Sequence, residues 1–347
     1  MMDCTRKSAI LIIYTGGTIG MKQDLNDMTL KPFDFSQILE EVPEIGKFAF
    51  KTDTWSFDPP IDSSDVEPAL WQSLARLIKD KYDDYDGFII LHGTDTMSYS
   101  ASALSFMLDN LAKPVIITGS QLPIGEVRTD GEENLITALQ VAAATGKDGE
   151  AIVQEVAILF ENYLWRGNRS TKMSADNFNA FKSNNYPELA KIGLGITFHN
   201  EALYRMSSRR PLKVRYTMDP NVMVLTLHPG MTESTLQYLL DTPGIKGIVL
   251  RTYGAGNCPS EPWFLNLIHK ATQRGLVIVN VTQCVNGGVN DTLYETGSQL
   301  NLSGVISGHD ITCEAALTKL MYLFGLGLSP EEVKKYMNCA ICGEVSL

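Results

Sequence analysis

The stretch DGFIILHGTDTMSYSASALSFMLDNLAKPVIITGSQ, Asp86 to Gln121, decides the fold. Its apolar run Gly87–Leu91 is short, unbroken and rich in branched side chains, which is the pattern of a strand buried on both faces. A turn-forming segment follows, His92-Gly93-Thr94-Asp95-Thr96. Beyond it Met97, Ala101, Leu104 and Leu108 recur at spacings of three and four, so they share one side of a helix. Val115–Thr118 then reads as a second buried strand and runs straight into Gly119-Ser120-Gln121. Strand, helix and strand in this span predict a parallel crossover.

The same alternation extends outward in both directions. Ala9–Tyr14 precedes it and Val156–Phe160 follows, with a helical face at Leu70, Leu74, Leu77 and Ile78. A β-like run, Ile192–His199, leads into an irregular basic stretch holding Arg205, Arg209, Arg210, Lys213 and Arg215, which reads as a connector. The alternation restarts at Val222–Leu227, continues through Ile245–Leu250 and Leu276–Val281, and closes with helices near Ala315–Phe324 and Pro330–Met337. The expected fold class is therefore α/β, with two doubly wound domains: a larger flavodoxin-like one over 1–199 and a smaller Rossmann-like one over 221–347, joined by a linker over 200–220. Two domains also suit the length, since 347 residues exceed what one core usually serves.

A net charge of −11 without any Lys/Arg-rich run disfavours nucleic acid and anionic membrane as partners. The longest early apolar run is too short to span a bilayer and leads into a glycine turn with no cleavage pattern, so a cytoplasmic location is expected. Six scattered cysteines do not form a disulfide framework. Cys339 and Cys342 have a C-x-x-C spacing, but no second pair or nearby histidine completes a zinc set.

In open parallel sheets, ligands bind outside the carboxyl ends of the strands, so the strand exits are where chemistry belongs. Three exits in the first domain carry glycine and hydroxyl together: Thr15-Gly16-Gly17-Thr18, His92-Gly93-Thr94-Asp95-Thr96 and Thr118-Gly119-Ser120-Gln121. Glycine permits a tight turn and close backbone approach, and the second exit adds a helix N-terminus that favours an anionic group. Each exit taken singly reads as an ordinary turn or cap, whereas three in one domain point to a small polar ligand. A fourth element, Arg166-Gly167-Asn168-Arg169-Ser170-Thr171-Lys172, can deliver a lysine to the same edge. Thr94, Asp95 and Lys172 then suggest a relay in which a desolvated lysine is the base and the carboxylate orients it.

Other chemistries lack their motifs. The chain contains no H-E-x-x-H, no G-x-S-x-G and no G-x-x-x-x-G-K-[ST]. Gly254-Ala255-Gly256 resembles the start of a dinucleotide fingerprint, but Pro259 occupies the place of the third glycine. The five histidines show no metal-ligand spacing, and His92 and His309 read as residues that hydrogen-bond their loops. Neither a metal nor an organic cofactor is expected.

YTGGTIG (Tyr14–Gly20) and LHGTDTM (Leu91–Met97), with RGNRSTK (Arg166–Lys172) after them, closely resemble the bacterial-type L-asparaginases. Similarity to the cytoplasmic type I group covers nearly the whole chain, including VLRTYGAGNCP (Val249–Pro259) and NVTQC (Asn280–Cys284). The resemblance implies hydrolysis of L-asparagine through a β-aspartyl ester on Thr18. Thr94, Asp95 and Lys172 would form a second catalytic group. Ser63, within Asp62-Ser63-Ser64, would hold the substrate α-carboxylate and Asp95 its α-ammonium. Gly17, Gly93 and Ser120 complete the expected binding set, with main-chain N–H groups near Thr94 as the oxyanion hole. The chain departs from the family at the lid, where a tyrosine about ten residues past the nucleophile is replaced by Met28.

The resemblance further implies a homodimer or homotetramer. Thr171, Arg251 and Cys284 are the residues to inspect for a regulatory asparagine site, because some type I enzymes respond cooperatively to substrate. Two other functions share some of these motifs. One is the asparaginase-like subunit of a tRNA-dependent amidotransferase, which needs an extra N-terminal domain; the other is an amino-acid sensor, which needs no nucleophile. The preference for asparagine over glutamine turns on one methylene, and so on small differences in pocket depth.

Overall fold

Ala9–Tyr14 (β1) is buried at all six positions, as a strand covered on both faces must be. The computed structural model describes residues 8–23, 30–32, 42–206, 210–290 and 295–347. They divide into two compact units, Met1–Val214 and Arg215–Leu347.

In the first unit β1 is followed by Lys51–Ser56 (β2), Gly87–Leu91 (β3), Val115–Thr118 (β4), Val156–Phe160 (β5), Tyr163–Arg166 (β6), the short hairpin Thr171–Lys172 (β7) and Phe181–Lys182 (β8), then Ala190–Ile192 (β9) and Ile196–Phe198 (β10). One sheet runs in the order β10-β9-β6-β5-β4-β3-β1-β2, and its five strands from β5 to β2 are parallel. The parallel part thus has the order 2-1-3-4-5, which reverses between β1 and β3 and opens a crevice at their carboxyl ends. Antiparallel β6, β9 and β10 extend the far side.

Helices Pro68–Lys81 (α1), Met97–Met107 (α2) and Gly131–Ala143 (α3) connect the strands. Leu135, Ala138 and Leu139 of α3 share a core with Ile10, Ile12, Ile89, Leu91, Ile116 and Ala157, the alternate residues of four adjacent strands.

The second unit is a four-stranded parallel sheet of Val222–Thr226 (β11), Gly247–Thr252 (β12), Val277–Thr282 (β13) and Ile306–Ser307 (β14), in that order. Its helices are Glu233–Leu240 (α4), Pro262–Gln273 (α5), Glu295–Leu302 (α6), Cys313–Gly325 (α7) and Pro330–Met337 (α8). Leu236 and Leu240 of α4 and Phe264 and Ile268 of α5 pack on Leu225, Ile248, Leu250 and Ile278. Ser329 and Glu332 form a reciprocal capping box that starts α8 at the expected residue.

Four expectations shift. Two strands of the second unit lie later than their apolar runs, at 247–252 and 277–282, because pairing carries them through polar Arg251, Thr252 and Thr282. α2 ends at Met107, so Leu108 leaves the helical face and its segment Leu108–Asp109 pairs with Lys213–Val214 inside the expected linker. Ile192–His199 is not one run but the turn of a hairpin, where the Gly193 N–H bonds to the Gly195 carbonyl. β2 was not expected, since KTDTWS is polar and half-exposed at the sheet edge. Among the described residues no helix is long and apolar enough to cross a membrane, no group of His, Cys, Asp or Glu could hold a metal ion, and Cys258, Cys284, Cys313, Cys339 and Cys342 are free thiols.

Candidate active site

The exits of β1 and β3 meet at the point where strand order reverses, and glycine lets them meet. Gly17 has φ +92, and a Cβ there would lie 2.5 Å from the Gly93 nitrogen. Gly93 in turn leaves no room for a side chain, because its Cβ would stand 2.5 Å from Ser63 Oγ. The segment that carries Ser63 is stitched to both exits: Ile61 N–H donates to the Thr15 carbonyl at 2.7 Å and Thr96 Oγ1 donates to the Ser63 carbonyl at 2.7 Å. Thr15 closes the junction through its N–H and its hydroxyl, which both donate to the Leu91 carbonyl, at 3.0 and 2.9 Å.

Thr18 opens a single short 3-10 turn, Thr18–Gly20, at the end of β1 and is partly exposed, so its hydroxyl can meet a ligand. Beneath it, buried Tyr14 fills the space a Cβ on Gly20 would need. Burial pushes the Tyr14 phenol up to about 12, so it stays protonated and belongs to the core.

Lys172 reaches the second exit from β7. Its Nζ donates to Thr94 Oγ1 at 2.8 Å and to Asp95 Oδ1 at 2.7 Å. The lysine side chain is 19% exposed and that of Asp95 65%, so the pair has a sheltered cation and an open carboxylate that can also meet a ligand. The lysine does not come directly from β5. Antiparallel β6 and the buried turn Gly167–Arg169 intervene, and β8 then pairs with β7.

Asp62 and Ser64 are bonded to each other: Asp62 Oδ1 accepts from the Ser64 N–H at 2.8 Å and from its hydroxyl at 2.6 Å. The Ser64 hydroxyl, with its N–H, holds the Asp62 carboxyl below its ordinary range. Ser63, between them, is buried and faces Gly93. At the third exit Ser120 is buried, and its hydroxyl has no hydrogen-bond partner among the described residues. α3 fixes this loop through Asn134 Nδ2, which donates to the Gly119 carbonyl at 2.9 Å, and through Asp130, which accepts from the Gln121 N–H.

The structure therefore gathers Gly17, Thr18, Ser63, Gly93, Thr94, Asp95 and Lys172 at one crevice. The three regulatory candidates are divided: Thr171 precedes Lys172 in the first unit, while Arg251 and Cys284 belong to the second. Arg251 Nε is buried without a hydrogen-bond partner, and exposed Cys284 donates its N–H to Thr282 Oγ1 at 2.9 Å. Met28 lies outside the described residues. Sequence reading missed the stitching by Thr96 and Ile61, which no motif marks. It also missed the depth of His92, which is 1% exposed.

Family models then match both parts of the chain. One described as Asparaginase, N-terminal, covers residues 9–204, and one described as Glutaminase/Asparaginase C-terminal domain covers residues 221–337. The chain belongs to the asparaginase family. It is 43% identical over 342 residues to L-asparaginase 1 of Escherichia coli (strain K12), spanning 98% of this chain and 99% of that protein. The crystal structure of L-asparaginase I from Vibrio cholerae is 42% identical, covers 98% of this chain and 100% of its own, and superposes with a TM-score of 0.89. The thermostable L-asparaginase of Thermococcus kodakarensis is 34% identical, covers 98% and 99%, and gives 0.86. The two-domain asparaginase architecture is thus that of this enzyme.

Proposed function

We propose that this enzyme hydrolyses L-asparagine to L-aspartate and ammonia through a β-aspartyl ester on Thr18. One observation carries the reading: a lysine, Lys172, bonds both the hydroxyl of Thr94 and the carboxylate of Asp95 beside the loop that bears a second threonine. In the first half-reaction Thr18 Oγ attacks the side-chain amide carbon, the C–N bond breaks, and the hydroxyl proton leaves with the nitrogen as ammonia. In the second, a water deprotonated through Thr94 and Lys172 attacks the ester and restores the Thr18 hydroxyl, leaving aspartate. Asp95 orients Lys172 and uses its exposed oxygen to hold the substrate ammonium. Ser63 receives the α-carboxylate, Asp62 and Ser64 bond each other beside it, and Gly17 and Gly93 let the backbone come close enough for its N–H groups to stabilise the oxyanion.

The motif resemblance supports a cytoplasmic homodimer or homotetramer. The test is ammonia release from the purified protein over a range of L-asparagine and L-glutamine concentrations, with intact-mass detection of an acyl adduct. Ammonia from asparagine, an adduct at Thr18 and neither in Thr18→Ala are expected; an active Thr18→Ala protein overturns the assignment. Light scattering gives the oligomeric state.

A further inference from the structure

Behind the second strand exit lies a buried polar chain that the reaction above does not use. Trp71 of α1 donates its Nε1–H to Ser100 Oγ of α2 at 2.9 Å, and Ser100 Oγ lies 2.9 Å from His92 Nε2. The other ring nitrogen, Nδ1, lies 2.7 Å from the carbonyl oxygen of Gly93. Ser100 is 0% exposed, His92 1% and Trp71 5%.

Counting donors leaves one assignment of protons. An indole N–H can only donate, so the Ser100 oxygen accepts there and has its own proton to give. A carbonyl can only accept, so Nδ1 of His92 carries the hydrogen and Nε2 receives the Ser100 proton. The imidazole is neutral, since burial pulls its pKa down against the opposing pull of the Gly93 carbonyl. Three polar groups buried together would cost stability if any were unpaired, yet every one is satisfied and the chain ends on a single backbone oxygen.

That oxygen belongs to the peptide whose N–H is Thr94's. The peptide is trans, because the one cis bond among the described residues is Asp58–Pro59. In a trans peptide the C=O and N–H point in opposite directions. Drawing the Gly93 carbonyl toward buried His92 therefore turns the Thr94 N–H away from the core, and among the described residues that N–H has no protein acceptor. We propose that Trp71, Ser100 and His92 are positioning residues that lock the Gly93–Thr94 peptide with the Thr94 N–H aimed at the substrate's amide oxygen. The proposal rests on the asparagine-hydrolysis reading above and adds to it a buried device that makes the oxyanion donor rigid before substrate arrives.

The test compares His92→Asn, whose side-chain N–H sits where Nδ1–H was, with His92→Leu, which fills similar space and donates nothing. For each, kcat and KM for L-asparagine are measured alongside the unfolding midpoint, and the tautomer in the wild type is read by NMR of 15N-histidine-labelled protein. His92→Leu should lower kcat about a hundredfold, the scale of losing one oxyanion donor, while KM moves by less than about threefold. His92→Asn should recover kcat to within about tenfold of the wild type, a rescue that mere core filling would not give. The NMR spectrum should contain a neutral Nδ1–H signal from His92 that is absent from both variants, beside those of His199 and His228, whose Nδ1 atoms also face carbonyls. A folded His92→Leu protein with near-normal kcat, equal losses in the two variants, or an Nε2–H tautomer overturns the proposal. Should His92→Leu fail to fold, Ser100→Ala takes its place: a drop in kcat at constant KM is expected, and unchanged kcat refutes the chain. A wild type that releases no ammonia from asparagine refutes the reaction itself, whereas an active wild type with indifferent variants refutes only the positioning.

Discussion

Thr94 is bonded by a lysine that also holds a carboxylate, so none of the three side chains acts alone. Thr94→Val, Asp95→Asn and Lys172→Met should each lower kcat by about a hundredfold or more, and the triple variant should lose far less than the product of the singles. Steady-state kinetics on the four proteins decide this, and multiplicative losses would mean that they form no unit. His92 gives a second expectation at this scale, with a definite sign. Its folded-state pKa is depressed, so the unfolded chain binds a proton that the native protein refuses once pH drops below about 6.5. Native stability is therefore full above that pH and declines below it, at up to about 1.4 kcal/mol per pH unit, until the folded imidazole itself titrates. Urea midpoints between pH 7 and 5 should fall for the wild type and stay flatter for His92→Asn. Asp62, held low by Ser64, acts in the same direction but only in the carboxylate range, so the two are separable.

Among the elements, the exits of β1 and β3 matter most, because three backbone segments touch where Gly17, Gly93 and Ser63 meet. Gly93→Ala would press a methyl against Ser63. It should cut kcat/KM for asparagine by more than about tenfold through displacement of the binding segment, with a smaller loss of thermal stability. Equal activity in a folded Gly93→Ala enzyme would count against the close junction. These exits were legible in the sequence because buried parallel strands are unbroken apolar runs and their ends are marked by glycine and hydroxyl residues. The edge strand Lys51–Ser56 was not legible, since half its residues face solvent and only its pairing with Ala9–Tyr14 makes it a strand. The later frame of Gly247–Thr252 was hidden for a related reason: hydrogen bonding continues past the point where apolarity stops. His92 was visible as a loop residue, but Ser100 and Trp71, 8 and 29 positions away along the network, could be joined to it only by the packing of α1 on α2.

On the scale of the whole molecule, each unit has its own anchor. In the second unit, Lys319 and Glu344 are both 0% exposed and pair at 2.6 Å, with the lysine also donating to the Cys339 carbonyl at 2.5 Å and the carboxylate accepting the N–H groups of Ile341 and Cys342. Lys319→Met strands a buried carboxylate and should cost about 3–5 kcal/mol, whereas adding Glu344→Leu should recover much of it. Denaturant unfolding of the single and double variants checks this, and a single variant as stable as the wild type would refute the buried pair. In the first unit, 76 positions separate Thr15 from the Leu91 carbonyl it bonds, and 78 separate Lys172 from Thr94. Chain segments that distant meet late, because loop closure must be met before such contacts form. During refolding, helical signal should therefore return well before ammonia release does, and a nascent or damaged chain with native-like helices would be catalytically silent. The hydroxyls and the lysine of the crevice come together only in the finished sheet.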